Sequence, residues 1–343
     1  MTSKSPFLPL LTREGETILI YAILIFLLLP LHSYGTEQPI TVTDFRGKRV
    51  SLQKPASRIV CLIESALSGL YMLGQQDKVV GIPKVVYDGE VYKYYATLDS
   101  RIRQKTLPSP GNWDFVSIES VVGLRPDLVI IWASQTEAIR SLEQRGIAVY
   151  GVFLTSIEDV YKEVLDFGKL TGSVEQARRL IEYTKAELKG LGKTLQSIAE
   201  HKRKGVYFMW AQGVLETSCE GSTVDDLIRL AGAKNVCTIP NTEHTVINME
   251  TLLRWNPDVI VMWVNDKRSP EDVINDTQLR SLKAVKTRQV YELPEVFLCD
   301  LWTLKFVYAI KLLAKWAYPE HFAHIDMERE KVRLLKRLYG RQL

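Results

Sequence analysis

Residues 117–132 read SIESVVGLRPDLVIIW and residues 248–263 read NMETLLRWNPDVIVMW, one pattern stated twice, 131 positions apart. Glu119 and Glu250 each precede a Pro-Asp pair by seven residues, at Pro126-Asp127 and Pro257-Asp258. Each pair is followed by an apolar run that ends in tryptophan, Trp132 and Trp263. Residues 117–124 and 248–255 are helix-compatible, and proline stops a helix because it lacks an N–H and restrains its neighbour. LVII and VIVM show no polar alternation, as expected of parallel strands covered on both faces. A short helix, a turn and a buried strand repeated at this interval predict two similar α/β lobes.

The length of 343 residues accommodates such a pair. Hydrophobic content of 46% and charged content of 24% describe a folded globular chain. Its 44 Lys+Arg against 40 Asp+Glu leave a net charge of +4, too small and too dispersed to argue for nucleic acid. Ile18–Leu31 is a run of fourteen residues, nearly all apolar. A membrane-spanning helix needs about 20 residues, whereas a signal-peptide core needs about 7–15. Ser33-Tyr34-Gly35 then supplies a small-x-small cleavage site. An export signal over 1–35 and an exported mature chain follow; an uncleaved anchor stays open, because Glu14 and Glu16 offset Lys4 and Arg13.

The first lobe is expected over 36–154. ITVTDFRGKRVSL at 40–52 reads as two strands turning at Arg46-Gly47, and RIVCLI, KVVGI, LVII and IAVYGV supply further strands between helices. Residues 83–112 show little periodicity but four tyrosines, Tyr87, Tyr92, Tyr94 and Tyr95. Residues 155–203 contain no strand candidate. Leu180, Tyr183, Leu188, Leu191, Leu195 and Ile198 mark a helical stripe, so the segment reads as a spine between lobes. The second lobe, 204–343, restarts with the strand GVYFMW and a helix capped at Ser222 or Thr223. A last strand follows near 290, then helices over 301–317 and 326–339.

Loops at the carboxyl ends of parallel strands are free to hold ligands, and two facing sheets make a cleft. Trp132, Trp210 and Trp263 stand at strand ends, with Tyr87, Trp113 and Phe297 in neighbouring connections. Large rings offer broad apolar area at low entropic cost, suited to a flat or bulky ligand. His244, in the loop NTEHT before the second repeat, is the one histidine on the expected cleft side. No G-x-S-x-G, H-E-x-x-H or phosphate-loop motif is present. The chain therefore reads as a binder, not an enzyme; His244 with Glu64 is the one acid–base pair worth testing against that. His321 and His324 read as surface, and no resident metal or cofactor is expected. Cys219 and Cys237 are the least remote cysteine pair, bridged or free.

Several stretches taken in order closely resemble the substrate-binding proteins of iron-complex ABC importers, which include siderophore, haem and cobalamin receptors. They are VTDFRGKRVSLQKPASRIVCL with LGQQDKVVGI, the two repeated units, GSTVDDLIRLAGAKNV, LRSLKAVKTRQVYELP and WAYPEHFAHIDMEREKVRLLKRLYG. Together they cover about residues 40–340. The resemblance implies two lobes with mostly parallel sheets joined by one long helix, ligand between them, and little closure. It also implies a monomer serving an ABC permease dimer with cytoplasmic ATPase subunits. One acidic residue on each lobe would dock against permease arginines, best matched by Glu137 and Glu271, with Glu119 and Glu250 as rivals. The ligand implied is a metal chelate: a ferric siderophore, haem or a corrinoid. Lys84, Arg101, Arg103, Lys105 and Arg268 are candidates to neutralise an anionic one. An oxyanion or nickel chelate on the same fold, or an envelope sensing module, are the alternatives. Members of that family in single-membrane cells usually carry a lipid-modified cysteine after the export run; none follows it here, so with a cleaved signal the resemblance implies a soluble periplasmic protein.

Overall fold

Two separate four-stranded sheets carry the two copies of the repeated unit. The first is built from β3 (Ile59–Cys61), β4 (Val79–Gly81), β5 (Leu128–Trp132) and β6 (Ala148–Val152), in the order β4-β3-β5-β6. The second is built from β7 (Gly205–Met209), β9 (Lys234–Asn235), β11 (Val259–Met262) and β12 (Val290–Glu292), in the order β12-β11-β7-β9. Every pairing in both is parallel. An antiparallel hairpin, β1 (Ile40–Thr43) and β2 (Arg49–Leu52), precedes the first sheet. A smaller antiparallel pair, β8 (Glu216–Thr217) and β10 (Thr245–Val246), flanks the second. The computed structural model describes residues 38–265 and 267–343; the expected export segment at 1–35 lies outside them. Among the described residues no helix is long and apolar enough to cross a membrane.

The repeated Pro-Asp has a structural cause. The Asp127 carboxylate accepts Ser57 N–H at 2.7 Å, the Ser57 hydroxyl at 2.8 Å and Arg58 N–H at 3.0 Å, which fixes the entry to β3. Asp258 accepts Gly205 N–H at 2.8 Å and fixes the entry to β7. Each aspartate thus starts the strand beside its own. The short helices before them, α2 (Ile118–Gly123) and α7 (Met249–Trp255), are capped by Ser117 and Asn248. Glu119 and Glu250 lie exposed in their first turns, where a carboxylate complements the helix dipole.

The TDFRGK turn is fastened by a single buried side chain. Asp44 accepts the backbone N–H groups of Arg46, Lys48 and Gly151 at 2.9–3.0 Å, tying the hairpin to β6. A Cβ on Gly151 would meet Arg46 Nε at 2.6 Å, so only glycine admits that guanidinium.

Between the lobes the chain makes two helices, the second of them the long connecting helix that the resemblance implies. α4 (Ile157–Thr171) ends at Gly172, whose φ of +78° suits a left-handed cap, and α5 (Val174–Leu195) follows. Its first turns belong to the first lobe, where Gln176 reaches the Met72 carbonyl; its last turn meets the second, where Leu195 abuts Gly232. Twenty-two residues make a rod of about 33 Å. The expected stripe lies inward: Leu180, Leu191, Leu195 and Ile198 are buried, Tyr183 and Leu188 partly so.

Two stretches differ from expectation. Residues 83–112 contain three short helices, Val85–Asp88, Tyr92–Leu98 and Ser100–Arg103. Their buried positions fall on separate axes, so no single 3.6-residue stripe appears in sequence. The helix expected over 301–317 is α8 (Phe306–Ala317), which begins five residues later. Asp300 accepts Trp302 N–H at 3.0 Å and Thr303 Oγ1 accepts Lys305 N–H at 3.3 Å, holding 300–305 in turns. The chain ends in α9 (Met327–Tyr339), capped by Asp326. A continuous apolar core runs through both lobes, from Ile130 to Val261 and Phe306.

Candidate functional site

A cleft of about 440 Å³ opens between the carboxyl ends of the two sheets. The first sheet contributes the turn after β3, from Leu62 into the start of α1 (Glu64–Met72), together with Trp132 at the end of β5 and Trp113. The second contributes Trp263, just beyond β11, and the connection after β12, with Val296, Asp300 and Trp302. The strand-end tryptophans of the repeat therefore face one shared hollow. They do so because successive residues leaving parallel strands at that end have no further ladder to join.

Of the expected ligand contacts, Trp113, Trp132 and Trp263 line the cleft. Trp113 is 69% exposed at its mouth. Trp210 is buried behind the wall, its centroid 5.3 Å from Trp263 and 6.3 Å from the nearly parallel Trp302. Its indole N–H donates to Ser218 Oγ at 2.8 Å. His244 is exposed and stacks on Trp210 at 4.6 Å without lining the cleft, so the pair His244 and Glu64 is not assembled there. Tyr87 is half-buried and donates its hydroxyl to the Leu107 carbonyl at 2.8 Å. Phe297 is buried between Tyr94, stacked at 4.2 Å, and Tyr339 at 5.8 Å, in the packing that joins the lobes.

Trp302 and Asp300, which the sequence does not single out, complete the site together with Glu64, which it marks only as half of an acid–base pair. The helix expected from residue 301 absorbs Trp302, whereas the helix itself starts only at Phe306. An aromatic placed shortly after the last strand was the available signal. Glu64 opens α1 and accepts the Tyr95 hydroxyl at 2.7 Å. Asp300 is 3% exposed, and Lys305, fully buried, lies 3.6 Å from its Oδ2. Burial pushes both carboxyls upward and Lys305 opposes that rise; burial likewise pushes the Lys305 ammonium downward.

The basic residues proposed for an anionic chelate are elsewhere. Arg101 binds Asp99 and the carbonyls of Val79 and Gln76; Arg268 pairs with Asp276 at 3.0 Å. Lys84 pairs with Asp88, and Lys105 lies over the Tyr92 ring. Neither these nor Arg103 lines the cleft. Glu137 is exposed in the first turn of α3 (Thr136–Glu143), and Glu271, also exposed, pairs with Arg288 at 2.5 Å. Cys219 and Cys237 are bridged, while Cys61 and Cys299 are buried thiols. No group of three or more His, Cys, Asp or Glu among the described residues is placed to hold a metal ion.

Two parallel-sheet lobes, a helical link and an aromatic cleft define a bilobed binding protein. The family described as periplasmic binding protein matches residues 59–296, and this chain belongs to it. That class is a non-catalytic component of transport. The uncharacterized ABC transporter substrate-binding lipoprotein YvrC of Bacillus subtilis is 26% identical over 294 residues, 83% of this chain and 87% of that protein. A cobalamin-binding protein of Halobacterium salinarum is 25% identical over 252 residues, 70% and 65% of the two chains. The molybdate-binding protein MolA of Haemophilus influenzae is 24% identical over 333 residues, 90% and 93% of the two. The structure of MolA bound to molybdate superposes with a TM-score of 0.74 over 88% of this chain and 98% of that one, at 21% identity. The chain is thus a periplasmic solute-binding component of an ABC importer, delivering a small ligand to a permease.

Proposed function

We propose that the cleft captures a metal chelate with a broad apolar face and presents it to the permease. The observation carrying this is the wall: Trp113, Trp132, Trp263 and Trp302 converge on one hollow. Indole faces grip flat or bulky ligands through area and stacking. A volume of about 440 Å³ equals roughly fifteen waters at about 30 Å³ each, far more than a bare ion fills. A bare transition metal would also want several converging imidazoles, thiolates or carboxylates, and among the described residues the lining offers only Glu64 and Asp300. A tetrahedral oxyanion would want cations beside neutral donors such as Ser65, Asn112 and Ser134, and among the described residues no lysine, arginine or histidine lines the cleft. Loaded and empty forms would differ at the cleft loops, and docking through Glu137 and Glu271 would let the permease prefer the loaded one. In this reading export runs through 18–31, with release after Gly35.

Native mass spectrometry and absorption spectroscopy on protein purified from its own cell envelope test this. A bound chelate announces itself by mass and colour, and the protein mass reports whether residues 1–35 are removed. Recovery of a bare metal ion or an oxyanion as the sole bound species would reject the chelate reading.

A further inference from the structure

We propose that the floor of the cleft is an acceptor subsite, in which Asp300, faced by Glu64, receives an N–H donor or a positively charged group of the ligand. The same floor rejects ligands whose polar edge is a carboxylate or an oxyanion. This rests on the cleft being the ligand site and adds which chelates it accepts.

Asp300 carries the inference. It lines the cleft at 3% exposure, and its Oδ1 accepts Trp302 N–H at 3.0 Å. Its Oδ2 is buried and has no hydrogen-bond partner. Lys305 Nζ stands 3.6 Å away, beyond hydrogen-bonding reach, and itself makes no hydrogen bond; it lies over the Phe297 ring at 3.6 Å. A buried carboxylate oxygen without a donor is costly, and such an orphan at a ligand cleft marks capacity kept for something that arrives.

The charge count points the same way. Glu64 and Asp300 both draw on the ammonium of Lys305, while the buried Glu163, whose Oε1 is also unpartnered, adds its charge against Asp300 and is opposed by Lys162. The Tyr95 hydroxyl satisfies Glu64 Oε1, whereas Asp300 Oδ2 is left without a hydrogen bond. Above it, Trp302 and Trp263, with centroids 6.0 Å apart, offer ring faces that favour a cation further. An anionic edge would meet Glu64 and Asp300 and, among the described residues, no lining cation.

The test holds the macrocycle constant and changes its edge. Ligand-free mature protein is titrated with dicyanocobinamide, whose edge is amide, and with dicyanocobyrinic acid, whose edge is carboxylate. Haemin and its bis-amide form a second matched pair. For whichever ring binds, the amide form is expected to bind at least tenfold tighter, and Asp300→Asn to erase most of that preference. Glu64→Gln should reduce it as well, and keeps the test open if Asp300→Asn fails to fold by circular dichroism. Equal or tighter binding of the carboxylate form, or a preference untouched in the folded variants, overturns the proposal. If neither ring binds in either form, chelate capture of this kind fails instead. The floor is then judged on the ligand recovered by native mass spectrometry: an ammonium or amide edge supports the subsite, an anionic edge overturns it.

Discussion

The Tyr339 hydroxyl lies 2.6 Å from Ser68 Oγ, so the end of the last helix is fastened to the first helix of the first lobe. The same helix reaches back through Lys331 to Glu295 at 2.9 Å, and Glu295 also accepts the Tyr94 hydroxyl. Tyr339, Phe297 and Tyr94 stack in sequence beside these bonds. The lobes are therefore tied by this clasp as well as by α5, which argues for small movement on loading.

The clasp separates hydroxyl from ring. Tyr339→Phe is expected to cost about 1 kcal/mol, one buried hydrogen bond. Tyr339→Ala should cost about 3–5 kcal/mol, because the ring fills the interlobe stack. Urea denaturation checks both; equal costs would show that the ring carries nothing.

Acid should loosen a second tie. Burial works against ionisation of Glu187 on α5, but hydrogen bonds from Arg333 and Lys311 outweigh it and bring its pKa from 4.5 to about 2. A pKa lowered on folding gives stability that is complete above the unfolded value and is lost as pH falls through the folded one. The contribution, up to about 3 kcal/mol, should therefore fade between pH 4.5 and 2. Glu187→Gln is expected to destabilise at pH 7 and to lose that difference from wild type by pH 2, as read from urea midpoints.

The Cys219–Cys237 bridge joins residues 18 positions apart. It holds the turn in which Ser218 receives the Trp210 indole N–H and Ser222 caps α6 (Thr223–Leu230). Replacing both cysteines by alanine should cost about 3 kcal/mol. The loss should appear as a lower melting temperature that a reductant no longer changes, whereas in wild type the reductant lowers it.

Most of the architecture was legible because parallel strands covered on both faces leave unbroken apolar runs, as at LVII and VIVM. The Pro-Asp repeat marked both lobes, although its cause, Asp127 and Asp258 starting the neighbouring strands, needs three-dimensional pairing to see. The cleft was half legible. Trp132 and Trp263 stand where strand ends must, but Trp210, at an equivalent sequence position, is covered by two separate segments, one holding Ser218 and the other His244. Phe297 lies in a connection yet faces the opposite lobe. Asp300 and Lys305 were unreadable because their meaning is an unmet hydrogen bond, and no spacing in sequence encodes that.

Docking to the permease should depend on charge at the exposed acidic positions and not on the cleft. Exchanging both Glu137 and Glu271 for arginine is expected to leave ligand binding unchanged and to abolish uptake. Glu137→Arg alone should have the larger effect, because Glu271 already pairs with Arg288, which competes with any permease arginine. Uptake assays in cells carrying the importer, beside titration of the purified variants, separate the two. Normal uptake by the double variant would remove both residues from this role.

The tryptophan wall and the aromatic packing beneath it predict opposite phenotypes. Trp132→Ala, Trp263→Ala and Trp302→Ala change rings that are only partly buried and face the cleft, so each should leave the fold in place. Removing one stacked ring from the ligand should cost about 0.5–1.5 kcal/mol, a roughly two- to tenfold drop in affinity for the co-purified ligand. Phe297→Ala empties a fully packed position and should cost about 3–5 kcal/mol of stability. Its affinity, measured at a temperature where the variant is still folded, should stay near wild type, since Phe297 does not line the cleft. If the three tryptophan variants bind normally while Phe297→Ala does not, recognition belongs to the interlobe packing and the hollow between the strand ends is incidental.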